Sequence, residues 1–162
     1  MIRSIILLLT LVTTNLNAEC VSENARYKDI GNGTILDEKT NLTWMKCAHG
    51  MTWENSMCVG QSTRVDWQKA IFVANHFNDY EGFAGYKNWR LPTQKELESI
   101  VEKRCFQPAI NQANFPHTVS TGFWTITENS TSKYHAMLVF FLHGESYLSN
   151  KQAEWFVRLV RD

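Results

Sequence analysis

Three prolines and eight glycines in 162 residues leave no room for a Gly-X-Y collagen tract, a proline-rich linker or a low-complexity segment. Four cysteines are too few for a disulfide-dense miniprotein, and none stands in a C-x-x-C pair. No H-E-x-x-H string accompanies the five histidines, so the spacings that set zinc ligands tetrahedrally are missing and no metal is expected. Neither sign of charge is in excess, with 16 basic against 16 acidic residues, which disfavours a broadly basic nucleic-acid binder. No apolar run reaches the roughly 20 residues that a membrane-spanning helix needs. What is present is an ordinary hydrophobic fraction of 44%, with six tryptophans and nine phenylalanines, enough for one domain with a real core.

The N-terminus reads as an export signal over residues 1–18: Arg3, an apolar run from Ile5 to Val12, then a polar exit ending Leu16-Asn17-Ala18. The remaining 19–162 is expected to be one exported domain, slightly acidic because Arg3 departs without an acid. The destination is the periplasm, the cell surface or the medium. An oxidising compartment favours paired thiols. Cys20, Cys47, Cys58 and Cys105 allow three pairings, and Cys47–Cys58 is favoured because a polar ten-residue loop closes easily, leaving Cys20 for Cys105. Each bridge stabilises by roughly 3–5 kcal/mol in the loop-entropy account. Glu19 is a poor residue to precede a lipidated cysteine.

Segment types alternate along the chain. Gly31-Asn32-Gly33, then Thr34–Leu36, a polar turn at 37–41 and Leu42–Met45 read as a β-hairpin. Asp66 is an N-cap candidate, followed by Trp67, Ala70, Ile71, Ala74 and Phe77 at helical spacing. In the stretch 89–97, Thr93 and Glu96 form a capping box after Pro92, and the helix they start is expected to run to Cys105. Gly122–Ile126 and the nearly all-apolar Ala136–Phe141 read as strands, the second central. His143-Gly144-Glu145 reads as a turn. Phe156–Arg161 is expected as the last strand, with Arg158 and Arg161 on one face. Early helices and late strands predict an α+β fold, with two helices to one side of an antiparallel sheet.

The strings Asn32-Gly33-Thr34 with Asp37, Lys39, Thr40, Leu42 and Trp44, then Trp89-Arg90-Leu91-Pro92-Thr93 with Glu96-Leu97, then Val157–Arg161, occur in an order that resembles the Legionella collagen-like protein (Lcl) C-terminal domain family. Cys47, Cys58, Cys105, Asn111 and Phe115-Pro116 also stand where such domains commonly have them. The resemblance implies a C-type-lectin-like fold with N- and C-terminal strands as neighbours and loops projecting from one side. The adhesin that names the family binds sulfated glycosaminoglycans, so the resemblance implies a glycan as the first ligand class to test. The slightly acidic balance supplies no broad cationic field for a polyanion.

Candidate residues follow from chemistry. Lys103, Arg104, Lys133, Lys151, Arg158 and Arg161 are the cations able to grip sulfate if they converge. Trp53, in the Cys47–Cys58 loop beside Met51 and Met57, suits stacking on a sugar or anchoring a protein partner. Trp44, Trp67, Trp89 and Trp124 are expected in the core, and the motif Trp89, Arg90, Pro92, Thr93, Glu96 in the framework. No nucleophile elbow or phosphate loop is present, and the even cysteine count leaves no thiol free for nucleophilic catalysis. The sequence therefore predicts a non-enzymatic, cofactor-free binding module. Its partner is a glycan, or alternatively a protein bound by an inhibitor, an immunity protein or an appendage component, with oligomer formation left open.

Overall fold

A computed structural model describes residues 26–79 and 81–162. The expected export segment and Cys20 lie outside them. The hairpin forms where the turn chemistry places it: β2 (Thr34–Asp37) pairs antiparallel with β3 (Leu42–Met45), Thr34 opposite Met45 and Asp37 opposite Leu42. Asp37 organises the turn, its carboxylate accepting from the Lys39 amide and the Thr40 hydroxyl, and Asn41 takes the left-handed conformation that asparagine tolerates. β1 (Tyr27–Asp29) joins the outer side of β2, and the buried Asp37 carboxylate is closed off by Arg26 at 2.8 and 2.5 Å.

Asp66 caps α1 (Trp67–Asn78) by accepting from the Lys69 amide, and Trp67, Ala70, Val73 and Ala74 form its buried face. Thr93 and Glu96 make the reciprocal capping box of α2 (Gln94–Ser99). This helix is shorter than the sequence suggests. Beyond Ile100 the amides leave the helical ladder, Glu102 donating to the Ala109 carbonyl and Cys105 to the Glu102 carbonyl, so the chain turns well before Cys105.

Among the described residues, the expected single sheet resolves into three. β1, β2, β3 and β9 (Val160–Arg161) form a four-stranded sheet in that order, β4 (Met51–Glu54) and β5 (Met57–Gly60) form a separate hairpin, and β6 (Gly122–Asn129), β7 (Ser132–Phe140) and β8 (Glu145–Asn150) form a meander with β7 central. The β6–β8 sheet is covered on both faces of its first half. Phe123, Val139 and Phe141 join Ile35, Trp44 and Leu97 in one core, while Trp124 and Leu138 join Trp67, Trp89 and Leu91 in a second core on the opposite face. This double burial is why Ala136–Phe141 is apolar without alternation. Trp44, Trp67, Trp89 and Trp124 are all buried.

The last segment departs most from its sequence pattern. Only Val160–Arg161 (β9) is strand, paired with β3, while the backbone before it changes partner almost residue by residue. Trp155 exchanges hydrogen bonds with Val65, Phe156 with Gly122 and Trp124, and Val160 with Arg90. A chain that stitches several elements cannot keep one ladder. The C-terminal strand enters the N-terminal sheet beside β3, and β1 lies at its far edge.

Candidate functional site

A largely apolar concave region is built around Trp53. It begins at Gly33. With φ +85° and no side chain, Gly33 lets the Trp53 indole lie directly on the turn, where an added Cβ would come within 2.7 Å of the ring's Cγ. Lys46 secures the arrangement from the other direction. Its buried ammonium is 2.5 Å from Asp29 Oδ2 and 4.7 Å from the centre of the Trp53 ring, so the indole is held by a cation that is itself ion-paired.

The segment expected to be a plain loop between Cys47 and Cys58 is the β4–β5 hairpin, in which Trp53 sits directly opposite Cys58. The favoured disulfide is formed, Cys47 to Cys58, with Cα atoms 5.4 Å apart, and it closes the hairpin onto the end of β3. Cys105 is also disulfide-bonded and buried, while Cys20, expected to be its partner, lies outside the described residues. Met45, Leu159, Met51, Trp53, Phe77 and Phe83 line the pocket, around a volume of about 320 Å³. That is the lower end of the range for small-ligand pockets, about 300–1,000 Å³. His49 and Thr52 are the main polar groups at its edge. Burial, reinforced by the charge of His76, lowers the His49 imidazole below the usual histidine range, so it is neutral at pH 7.

The sequence pointed to Trp53 and left out His49, Met45, Phe77, Phe83 and Leu159. The period-two pairing of Met51 with Trp53 was a readable sign of a strand. That α1 ends beside this strand is a tertiary fact with no local signature.

The proposed cations do not gather. Arg158 is 1% exposed, and its guanidinium donates to the Met45 and Lys46 carbonyls and, at 2.7 Å, to the Thr118 hydroxyl. Burial lowers its pKa to about 9, which still leaves it charged at neutral pH. Arg161 instead stacks on Tyr86, 3.5 Å from the ring centre. The expected shared strand face fails because Arg158 precedes the short strand β9, and its guanidinium turns inward to the Met45 and Lys46 carbonyls. Arg104 is held by Glu102 at 3.1 Å, Lys151 binds Glu128 and covers the Trp67 ring at 3.9 Å, and Lys133 lies over Tyr134. Lys103 is exposed beside Arg104.

The framework motif forms its own knot. Arg90 grips Glu96 through two bonds of 2.9 Å and reaches Asp162 at 2.6 Å, while its backbone pairs with Val160. Burial pushes the Glu96 carboxyl up, but the bonds from Arg90 and the Thr93 amide prevail and hold it below the usual carboxylate range. Pro92 lies at this corner, its carbonyl accepting from the Ile126 amide.

No curated protein matches this sequence. The model of the Lcl C-terminal domain matches residues 33–161, a span that runs from the glycine beneath Trp53 to the stacked Arg161. With the hairpin, the capping corner and the stitched C-terminal segment all inside that match, the chain belongs to the Lcl C-terminal domain family.

Proposed function

We propose that this domain is an exported, non-enzymatic binding module that seats an apolar anchor of a protein partner in the pocket beside Trp53. The observation that carries the reading is the composition of that pocket: methionine, phenylalanine, leucine and tryptophan side chains around about 320 Å³, with a neutral histidine at the edge. Interfaces are dominated by a few such anchors in desolvated pockets. A polyanionic glycan is less suited. Arg104 and Lys151 are each ion-paired, Arg158 is buried, and Arg161 is stacked on a tyrosine.

An uncharged sugar is the second reading, favoured by Trp53 sharing its pocket with the hydrogen-bonding side chains of His49 and Thr52. A glycan array with a salt titration, run beside affinity capture from the host's exported proteins, separates these readings. The protein reading expects a captured partner that is lost on Trp53→Ala and kept on Ile126→Ala. Sulfated-sugar binding that weakens with salt would overturn it.

A further inference from the structure

We propose that the β7–β8 face carries a second site, for an organic ammonium group. A pocket of about 360 Å³ lies there, on the outer strand of the meander and separate from the Trp53 pocket, lined by Leu138, Phe140, His143, Tyr147, Ser149 and Trp155. Its rings are braced. The Trp155 indole N–H donates to Ser149 Oγ at 2.8 Å, and Phe140 meets Trp155 and Tyr147 edge-on at 5.8 and 5.9 Å. At the rim the Tyr147 hydroxyl donates to Glu145 Oε2 at 2.7 Å, with His143 Nε2 also 2.7 Å from that hydroxyl. The bond from Tyr147 keeps the Glu145 carboxyl below the usual carboxylate range, so the rim stays anionic at neutral pH.

What marks the site is a contrast within the molecule. Several other aromatic rings carry a cation from the chain itself: Lys46 over Trp53, Lys151 over Trp67, Lys133 over Tyr134 and Arg161 over Tyr86. Among the described residues, no lysine or arginine lies over Phe140, Tyr147 or Trp155. Rings free of lysine and arginine, beside a carboxylate whose ion-pairing neighbour is the His143 imidazole at 3.1 Å, complement a cation brought from outside, since the electron-rich faces attract positive charge and the carboxylate neutralises it. The apolar lining selects the type. A bare ammonium is strongly hydrated, whereas a quaternary or trimethylated ammonium presents methyl groups to the rings and suits this lining better.

The test is a titration of the full chain with choline and with its uncharged carbon analogue, in which tert-butyl replaces trimethylammonium, followed by tryptophan fluorescence and by the Trp155 indole resonance. Choline is expected to saturate and the analogue to bind at least about tenfold more weakly, equivalent to about 1.4 kcal/mol. Glu145→Gln, at a side chain that is 64% exposed, is expected to keep the fold and weaken choline about three- to tenfold while leaving the analogue unchanged. Trp53→Ala should leave choline binding intact, which separates this site from the Trp53 pocket. Phosphatidylcholine vesicles and a trimethyllysine peptide are the two arms that identify the source: displacement of either by choline supports the site. Equal affinity for the uncharged analogue, no saturable change at Trp155, or indifference to Glu145→Gln would each overturn it.

Discussion

The C-terminal segment and the β4–β5 hairpin are both tied back to the end of β3, yet they do opposite things. Residues 155–161 hand backbone bonds to Val65, Gly122, Trp124, Arg90, Met45 and His49 in turn, and Val157, Arg158, Leu159 and Val160 are all buried. Among the described residues, the hairpin forms a sheet only with itself; it is half exposed and is fastened by one disulfide, a glycine contact and the Lys46 clamp. A segment that joins every layer is fixed by all of them. A hairpin fastened at a few points leaves a wall open, and that is where a binding surface can vary without disturbing the core.

The contrast is broken most severely at Arg158. Arg158→Ala strands the Met45 and Lys46 carbonyls and opens a cavity beside Phe115, and an unfolding titration should show a loss of about 3–5 kcal/mol. A loss below about 1 kcal/mol would mean that the segment is less constrained than its burial implies. Next is the hairpin's covalent tie. Replacing Cys47 and Cys58 together with alanine should cost about 2–3 kcal/mol and shift Trp53 emission to the red as the hairpin loosens, with the two cores unchanged by near-UV circular dichroism.

Acid tests the framework's carboxylates. Asp37 and Glu96 both titrate below the usual range because their hydrogen bonds outweigh burial. Their stabilisation is therefore complete above the unfolded carboxylate values near about pH 4 and is lost as pH falls through the lower folded values. The melting temperature should drop below about pH 4. Glu96→Gln should flatten part of that drop, whereas a profile level down to pH 3 would contradict the assignment. The mildest change is Thr93→Ala, expected to cost about 1 kcal/mol through the lost helix cap and to leave the Trp53 pocket untouched.

The comparison also explains what could be read in advance. Features set by neighbours in sequence were legible: the Asp37–Asn41 turn, the Asp66 cap, the Thr93–Glu96 box and the central position of Ala136–Phe141. The β4–β5 hairpin was partly masked because its polar residues and disulfide resemble a closed loop, although Met51 and Trp53 keep a period of two. The final segment looked like a strand because its arginines punctuate an apolar run, but its backbone partners come from four distant places. Arg158 looked like a surface cation for the same reason. The carbonyls that accept from it lie more than a hundred residues away.

The proposed role of the Trp53 pocket is to take an apolar anchor. A nuclear magnetic resonance titration of the full chain with N-acetylphenylalaninamide and with a heparin-derived oligosaccharide, following the Trp53 indole N–H, tests it most directly. The account predicts a saturable shift with the capped phenylalanine that persists in salt and vanishes in a Phe83→Ala variant. An unmoved Trp53 signal, together with salt-sensitive heparin shifts around Lys103 and Arg104, would contradict it.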